Sequence, residues 1–260
     1  QYENDSEGSI SFLQDAMKID PNYCLGACSL FNSAFGSNKD TDQSLLHDTM
    51  KTAIRNIYRI PDRLKFRLKI GNYQLQTGEH EKAIKIAEMW IAQYPDSIEP
   101  YKYLANILYE THDFHESIKV WEKILLIDSH YYSAYHEISN LYCNHLGGEF
   151  EKALEYAEKY LEKCPTEAKS YHEIADIHFT MGNYTLSKEY YEKAFMIDSD
   201  NSNYMIGMAK SDLNLYNYSD AKDQLDEALS LCNSPRNFYN VYNTFMEYCA
   251  YKGQIQLGIE

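Results

Sequence analysis

A seven-residue motif recurs five times along this chain at nearly constant spacing, and this period limits the possible folds more than any other feature. The motif GEHEKAI at Gly78 returns in altered form at His112, Gly148, Gly182 and Tyr216, at intervals of 34, 36, 34 and 34 residues. A period of about 20–50 residues is typical of repeat arrays, in which each repeat is one small supersecondary unit. The sequence therefore predicts stacked copies of one unit.

Each period contains two helical stretches separated by a tight turn. A small residue recurs in the first stretch and another in the second, as the pairs Gly71 and Ala83, Ala105 and Ser117, Ser139 and Ala153, Ala175 and Ser187. Small residues on facing helices allow the helices to approach closely. A glycine in the turn adopts a conformation that other residues resist. The predicted unit is therefore a helical hairpin, which ends at segments such as QYPDS and KCPTE.

These residues resemble the tetratricopeptide repeat (TPR) family. Its pattern has a large apolar residue, Leu-Gly and Tyr on the first helix, then Ala, an aromatic residue, Ala and Pro on the second. One period carries Tyr135, Ile138, Ser139, Tyr142, Ala153, Ala157, Tyr160 and Pro165 at those places. The resemblance implies an all-α fold, a right-handed superhelix (solenoid) of helix-turn-helix hairpins.

The resemblance also divides the chain into repeats. The expected segments are partial or degenerate hairpins at 1–63, full repeats at 64–97, 98–131, 132–167 and 168–201, a degenerate repeat at 202–235 and a truncated one at 236–260. The third full repeat has a two-residue insertion in its turn, within CNHLGG. The stretch YRIPDRLKFRLKIGNY is similar to the start of TPR regions in some bacterial multidomain regulators. This likeness implies that the chain is part of a larger signalling or regulatory protein.

In the TPR family the first helices line the concave face, so the resemblance makes that face the expected binding site. Position 9 of successive first helices holds Asn72, Asn106, Asn140, Asp176 and Lys210. A side-chain amide both donates and accepts, so an asparagine series can pair with the main chain of an extended peptide. The alternative is that each asparagine bonds to its own or a neighbouring helix. The other expected groove residues are Lys102, Tyr103, Tyr109, His136, His172 and Phe179.

Chaperone-binding TPR proteins hold a carboxylate with lysine, asparagine and arginine, and the match here is incomplete. Lys102 and Asn106 fit the first pair of that site. Glu137 and Glu173 stand where asparagine and arginine would be needed. Because carboxylates repel a carboxylate ligand, we expect no clamp of this kind.

The chain shows no motif for catalysis, a metal or a cofactor. YHEI occurs twice, but the HExxH zinc spacing would require histidine where Asn140 and Asp176 stand. The six cysteines form no CxxC pair, which favours reduced thiols. We therefore expect a chain that is not an enzyme and holds no cofactor and no metal.

Charge and hydropathy narrow the classes of partner. The net charge of −15 argues against binding to a phosphate backbone, so nucleic acid is not expected. No apolar run approaches the about 18 residues that span a bilayer, and no signal peptide is evident. A cytoplasmic chain with a protein or peptide partner is expected, and a homo-oligomer is open. The predicted function is a non-catalytic protein-protein interaction module, with a structural spacer or self-association module as the alternative.

Overall fold

The computed structural model describes residues 51–253 apart from Asn233, together with Asp15, Ile19, Asp20 and Gly26. The side chains of residues 75–77 also lie outside the described part. The hairpins predicted before residue 51, and the part of the truncated repeat that follows Gly253, fall outside the described residues.

The described chain consists of helices joined by short turns, and no strand occurs among the described residues. Helical residues 51–55 and a 3-10 helix at Ile57–Arg59 come first. The α-helices that follow are α1 (Asp62–Thr77), α2 (His80–Gln93), α3 (Ile98–Glu110), α4 (Phe114–Ile127), α5 (Ser133–Asn144), α6 (Phe150–Lys163), α7 (Ala168–Thr180), α8 (Tyr184–Ile197), α9 (Ser202–Asn214), α10 (Tyr218–Ser230) and α11 (Pro235–Tyr251). Odd-numbered helices are the first helices of hairpins and even-numbered helices are the second. The predicted all-α hairpin fold is confirmed.

The chain divides into two compact units, residues 1–120 and residues 121–260, called unit 1 and unit 2 below. In unit 1, α2 packs against both α1 and α3. In unit 2, each helix from α5 to α11 packs against the next one. The first helices also meet in the pairs α5 and α7, α7 and α9, and α9 and α11. No helix of the described part is long and apolar enough to cross a membrane.

One residue in each hairpin turn adopts a left-handed backbone. Its φ is 60° at Gly78, 65° at His112, 75° at Gly148, 80° at Gly182 and 63° at Tyr216. In the second, fourth and fifth of these turns, the next N–H donates to a carbonyl five residues back, at 2.8 Å. This hydrogen bond satisfies a carbonyl at the end of the first helix.

The two-residue insertion changes only the third turn. Gly147 is left-handed there as well, with φ of 72°. The N–H of Glu149 reaches back seven residues to the carbonyl of Tyr142, at 3.1 Å. The turn thus absorbs the extra residues, and the next hairpin keeps the repeat geometry.

The predicted small residues bring the two helices of a hairpin together. Ala83, Ala105, Ser117, Ser139, Ala153, Ala175 and Ser187 are all 0% exposed. The Ser117 hydroxyl donates to the carbonyl of Ala105 at 2.9 Å, and the Ser139 hydroxyl donates to the carbonyl of Ala153 at 3.0 Å. Serine therefore serves as well as alanine at these positions, because its hydroxyl is satisfied by the facing backbone.

Candidate functional site

The first helices of unit 2 enclose a groove of about 620 Å³, called the α7–α9–α11 groove below. Helices that are joined by short turns and pack together run antiparallel, so α7, α9 and α11 point the same way. The groove is lined by Lys169, His172 and Asp176 of α7, Tyr191 of α8, Asn201 before α9, Asn203, Tyr204, Ile206, Gly207 and Lys210 of α9, and Asn240, Asn243 and Glu247 of α11. The linings from α7 and α9 share a register, since 169, 172 and 176 correspond to 203, 206 and 210 at an interval of 34 residues.

The floor of the groove is aromatic and apolar. Tyr191, Tyr204 and Ile206 are at most 6% exposed. Gly207 lies beside the ring of Tyr191, and a Cβ at Gly207 would overlap that ring. The missing side chain therefore lets the Tyr191 ring occupy the floor between α7 and α9.

A carboxylate on the α7 wall is held in place by neighbouring side chains. The Tyr191 hydroxyl donates a hydrogen bond to Oδ1 of Asp176. The Nε2 atom of His172 lies 3.7 Å from the same oxygen, and its ring packs against Tyr191 and Tyr204. The surrounding protein raises the pKa of Asp176, while His172 and the Tyr191 hydroxyl act in the opposite direction. The Asp176 side chain keeps 51% of its surface exposed, so it remains open to a ligand.

Much of the polar lining has no partner within the protein. The side chains of Lys169, Lys210, Asn240, Asn243 and Glu247 make no hydrogen bond or ion pair with any described residue. Polar groups that line a groove without a partner can pair with a ligand at no cost in internal hydrogen bonds.

Asn201 and Asn203 are tied together instead. The Oδ1 atom of Asn201 accepts from the backbone N–H of Asn203 at 3.2 Å and from its side-chain amide at 3.0 Å. Asn201 is thus the N-cap of α9, and its main role is to start that helix.

The predicted asparagines lie on three first helices. Asn72 on α1 and Asn106 on α3 belong to unit 1, and Asn140 on α5 belongs to unit 2. Asn106 is exposed and the other two are half-buried. Within the part of the chain that the structure describes, none of the three side-chain amides forms a hydrogen bond. The alternative in which each amide bonds to a neighbouring helix therefore finds no support among these residues.

The predicted residues on α3 differ in how far packing occupies them. Tyr103 accepts a hydrogen bond from Nε of Arg67 at 3.0 Å, and its ring lies against Trp90. Tyr109 is 44% exposed and touches Phe114 edge-on. Lys102 is half-buried. Tyr103 is thus mainly a packing residue, whereas Tyr109 presents an open ring.

Histidine and glutamate on neighbouring first helices form a pair that the sequence did not reveal. Nδ1 of His136 on α5 lies 2.6 Å from Oε2 of Glu173 on α7. Glu173 is buried, so it does not stand open in a groove as the clamp comparison assumed. The repulsion argument against a carboxylate ligand therefore rests on Glu137 alone.

The remaining predicted residues are separated from each other. His172 contacts tyrosines rather than His136. Phe179 is half-buried and meets Tyr184 edge-on. Among the described residues, no group of three or more His, Cys, Asp or Glu is arranged to hold a metal ion.

Sequence reasoning missed several groove residues. Gly207 and Lys169 share their register with residues that had been considered, but a glycine gives no chemical signal by itself. Asn240, Asn243 and Glu247 lie on α11, which has 17 residues against 13 in α7 and α9. The change of length hides the register that would have identified them.

This fold and groove define a helical repeat scaffold, and comparisons with known proteins give its family. Two tetratricopeptide repeat models match the chain, at residues 67–97 and 168–201. A crystal structure of MamA has 17% identity and a TM-score of 0.53, over 62% of this chain and 94% of MamA. The structure of MamA 41-end from Desulfovibrio magneticus RS-1 has 16% identity and a TM-score of 0.53, over 64% of this chain and 92% of that one.

At these identities the likeness to MamA shows the fold alone. A search of curated protein sequences found no match. The repeat matches and the fold together identify the chain as a tetratricopeptide-repeat protein. Proteins of this family are helical scaffolds for protein-protein interaction and are typically non-catalytic.

Proposed function

We propose that this chain binds a peptide segment of a partner protein in the α7–α9–α11 groove, as part of a larger signalling or regulatory protein. The observation that carries the proposal is the unpartnered polar lining of that groove, above all Asn240 and Asn243. A peptide offers one N–H and one C=O for each residue. An asparagine amide can pair with either group.

The floor of the groove supports the same reading. Tyr204 and Ile206 supply apolar surface at the base, and the amides of α11 stand beside it. Ligand sites commonly combine an apolar base with a few placed polar groups that orient the ligand. The side chains of a bound segment would contact the base while its main chain meets the amides.

The chemistry of the lining favours binding over catalysis. The Tyr191 hydroxyl donates to Asp176, and burial raises the pKa of Tyr191 above its usual range. This phenol therefore stays protonated and cannot act as a base at neutral pH. His172 faces rings and Asp176, and no serine or cysteine nucleophile lines the groove among the described residues.

A selection from a phage-displayed library of random dodecapeptides tests the proposal. Selected peptides are compared by fluorescence anisotropy on the wild type, on Asn240→Ala/Asn243→Ala, and on a control, Glu189→Ala/Asp223→Ala. The control removes two exposed polar side chains of α8 and α10 outside the groove. We expect roughly tenfold weaker binding to the asparagine variant and little change for the control, since each lost hydrogen bond is worth about 0.5–1.5 kcal/mol. Equal binding to all three proteins would reject the groove.

Self-association is the second candidate function, and one face of α11 favours it. Phe238, Tyr239, Tyr242 and Met246 are 40%, 67%, 57% and 37% exposed. Apolar patches of this kind mark interaction surfaces. Sedimentation equilibrium of the wild type and of Tyr239→Ser/Tyr242→Ser tests it. A wild-type dimer that the variant loses would support this candidate, and a wild-type monomer at micromolar concentration would reject it.

A further inference from the structure

Charge is distributed unevenly along the α7–α9–α11 groove. Lys169 and Asn203 lie in the first turns of α7 and α9, where the helix dipole is also positive. Asp176 and Lys210 lie seven residues further along the same helices, and Glu247 lies seven residues beyond Asn240 on α11. One end of the lining thus offers a cation and amide donors, and the other end carries two carboxylates and one lysine.

The groove as a whole is close to neutral, unlike the chain around it. Its lining has two lysines, one aspartate and one glutamate, while the chain has a net charge of −15. Because Lys169 and Glu247 form no ion pair with a described residue, their charges are available to a ligand. A ligand that matches both ends must itself carry both signs of charge.

The distance between the two ends sets the spacing of those charges. Seven residues of an α-helix rise about 10 Å. A peptide in the polyproline II conformation rises about 3.1 Å for each residue and has three residues per turn. Side chains three residues apart are then about 9 Å apart and point the same way. This conformation leaves the peptide N–H and C=O groups free for the amides of α11.

We propose that the α7–α9–α11 groove selects peptide segments that carry one acidic and one basic side chain three residues apart, with the acidic side chain near Lys169 and the basic one near Asp176 and Glu247. This inference rests on the proposed function, because it names the peptide class for the same groove. The helices do not fix the chain direction of the peptide, so both orders of the two charges are included.

Fluorescein-labelled decapeptide mixtures are the probes. Each mixture fixes two charged residues and randomises every other position over Ala, Ser, Thr, Leu and Tyr. One pair of mixtures has Asp and Arg three residues apart, in the two orders. The comparison mixtures have Asp and Arg six residues apart, two Asp three apart, or two Arg three apart. Anisotropy titrations in 50 mM salt compare them, since charge contacts at a surface are screened as salt rises.

Two charge-reversal variants have matched controls. Lys169→Glu reverses the cation of the groove, and Lys123→Glu makes the same change on the exposed surface of α4 in unit 2. Glu247→Lys reverses a carboxylate of the groove, and Glu189→Lys makes that change on α8. All four side chains are solvent-accessible, so helicity and melting temperature should stay unchanged.

We expect at least one Asp and Arg order at the three-residue spacing to bind at least fivefold more tightly than every comparison mixture. Lys169→Glu and Glu247→Lys should each weaken that binding at least fivefold, with less than a twofold change in the two controls. Equal binding of the six-residue spacing, or tighter binding of a like-charged mixture, would overturn the inference. Phage peptides that need Asn240 and Asn243 but show no opposite-charge pair would also overturn it and leave the proposed function standing. If neither phage peptides nor mixtures bind, both proposals fail.

Discussion

The turn residue of each hairpin adopts a left-handed backbone whether or not it is glycine. His112 and Tyr216 hold this position with φ of 65° and 63°. The left-handed conformation costs a non-glycine residue roughly 1–2 kcal/mol. The repeat geometry around the turn evidently outweighs that local cost.

Tyr216→Gly should therefore raise the free energy of unfolding by about 1 kcal/mol, because relief of strain exceeds the added entropy of an unfolded glycine. Tyr239→Gly is the matched control, since this tyrosine is 67% exposed, close to the 72% of Tyr216, but lies inside a helix. Glycine there should lower the free energy by about 1 kcal/mol. Urea denaturation measures both variants, and a loss of stability in both would contradict the strain argument.

Asp176 combines a binding position with an unfavourable environment. The surrounding protein raises the pKa of its carboxyl from the ordinary value of 3.8. As pH rises through that value, the unfolded chain loses the proton first and the folded chain holds it longer. Stability attributable to this group therefore falls as pH rises, and the loss is complete once pH exceeds the raised pKa.

Asp176→Asn removes that titration and keeps an oxygen that can accept from Tyr191. We expect the variant to gain stability relative to the wild type between pH 4 and pH 7, measured by urea denaturation at each pH. The same variant should bind the selected peptides less well. A stability difference that does not change with pH would show that the carboxyl has an ordinary pKa in the fold.

At the scale of helices, Gly207 controls how α8 packs against α9. Because a Cβ at this position would overlap the Tyr191 ring, Gly207→Ala should destabilise the chain by about 1–3 kcal/mol despite the better helix propensity of alanine. Tyr191→Leu introduced into that variant should recover part of the loss, and thermal denaturation of the double-mutant cycle would show the coupling. Additive losses would mean that the two residues act independently.

Asp212 joins three helices through its buried carboxylate. It is 0% exposed, lies 2.7 Å from Nζ of Lys188 on α8, and accepts from Gln224 on α10 at 2.8 Å and from Asn217 at 3.0 Å. Asp212→Ala should cost about 3–5 kcal/mol, because it leaves an uncompensated lysine and two unpaired amides. Lys222→Ala removes an exposed ion pair with Asp226 and should cost at most about 1 kcal/mol. Urea denaturation compares the two, and similar small losses would show that the buried network is not stabilising.

The limits of prediction from sequence also lie at this scale. Hairpins, turns and facing small residues were predictable, because each recurs about 34 residues apart and a chance pattern would not. Gly207 was not, since its effect depends on a ring that comes from the preceding helix. The α11 lining was not, because the turn residue Gly253 follows Tyr216 by 37 residues and the register cannot be carried over. The His136 and Glu173 pair joins residues 37 apart, which no single repeat contains.

At the scale of the whole molecule, stability should be local to each unit. Repeat proteins gain stability mainly from contacts between neighbouring repeats. The two tryptophans are convenient probes, since Trp90 lies in unit 1 and Trp121 in unit 2. With Trp121→Phe or Trp90→Phe backgrounds that report one unit each, Asp212→Ala should lower the urea midpoint reported by Trp121 more than that reported by Trp90. Equal shifts of both midpoints would indicate a single cooperative unfolding unit.

Photo-crosslinking tests the central claim, peptide binding in the α7–α9–α11 groove, most directly. A phage-selected peptide that carries benzoylphenylalanine is irradiated with the wild-type chain, and the crosslinked residues are mapped by mass spectrometry. The account predicts crosslinks within 169–176, 203–210 and 240–247, and their loss in Asn240→Ala/Asn243→Ala. Crosslinks confined to α8, α10 or the exposed aromatic face of α11 would contradict it.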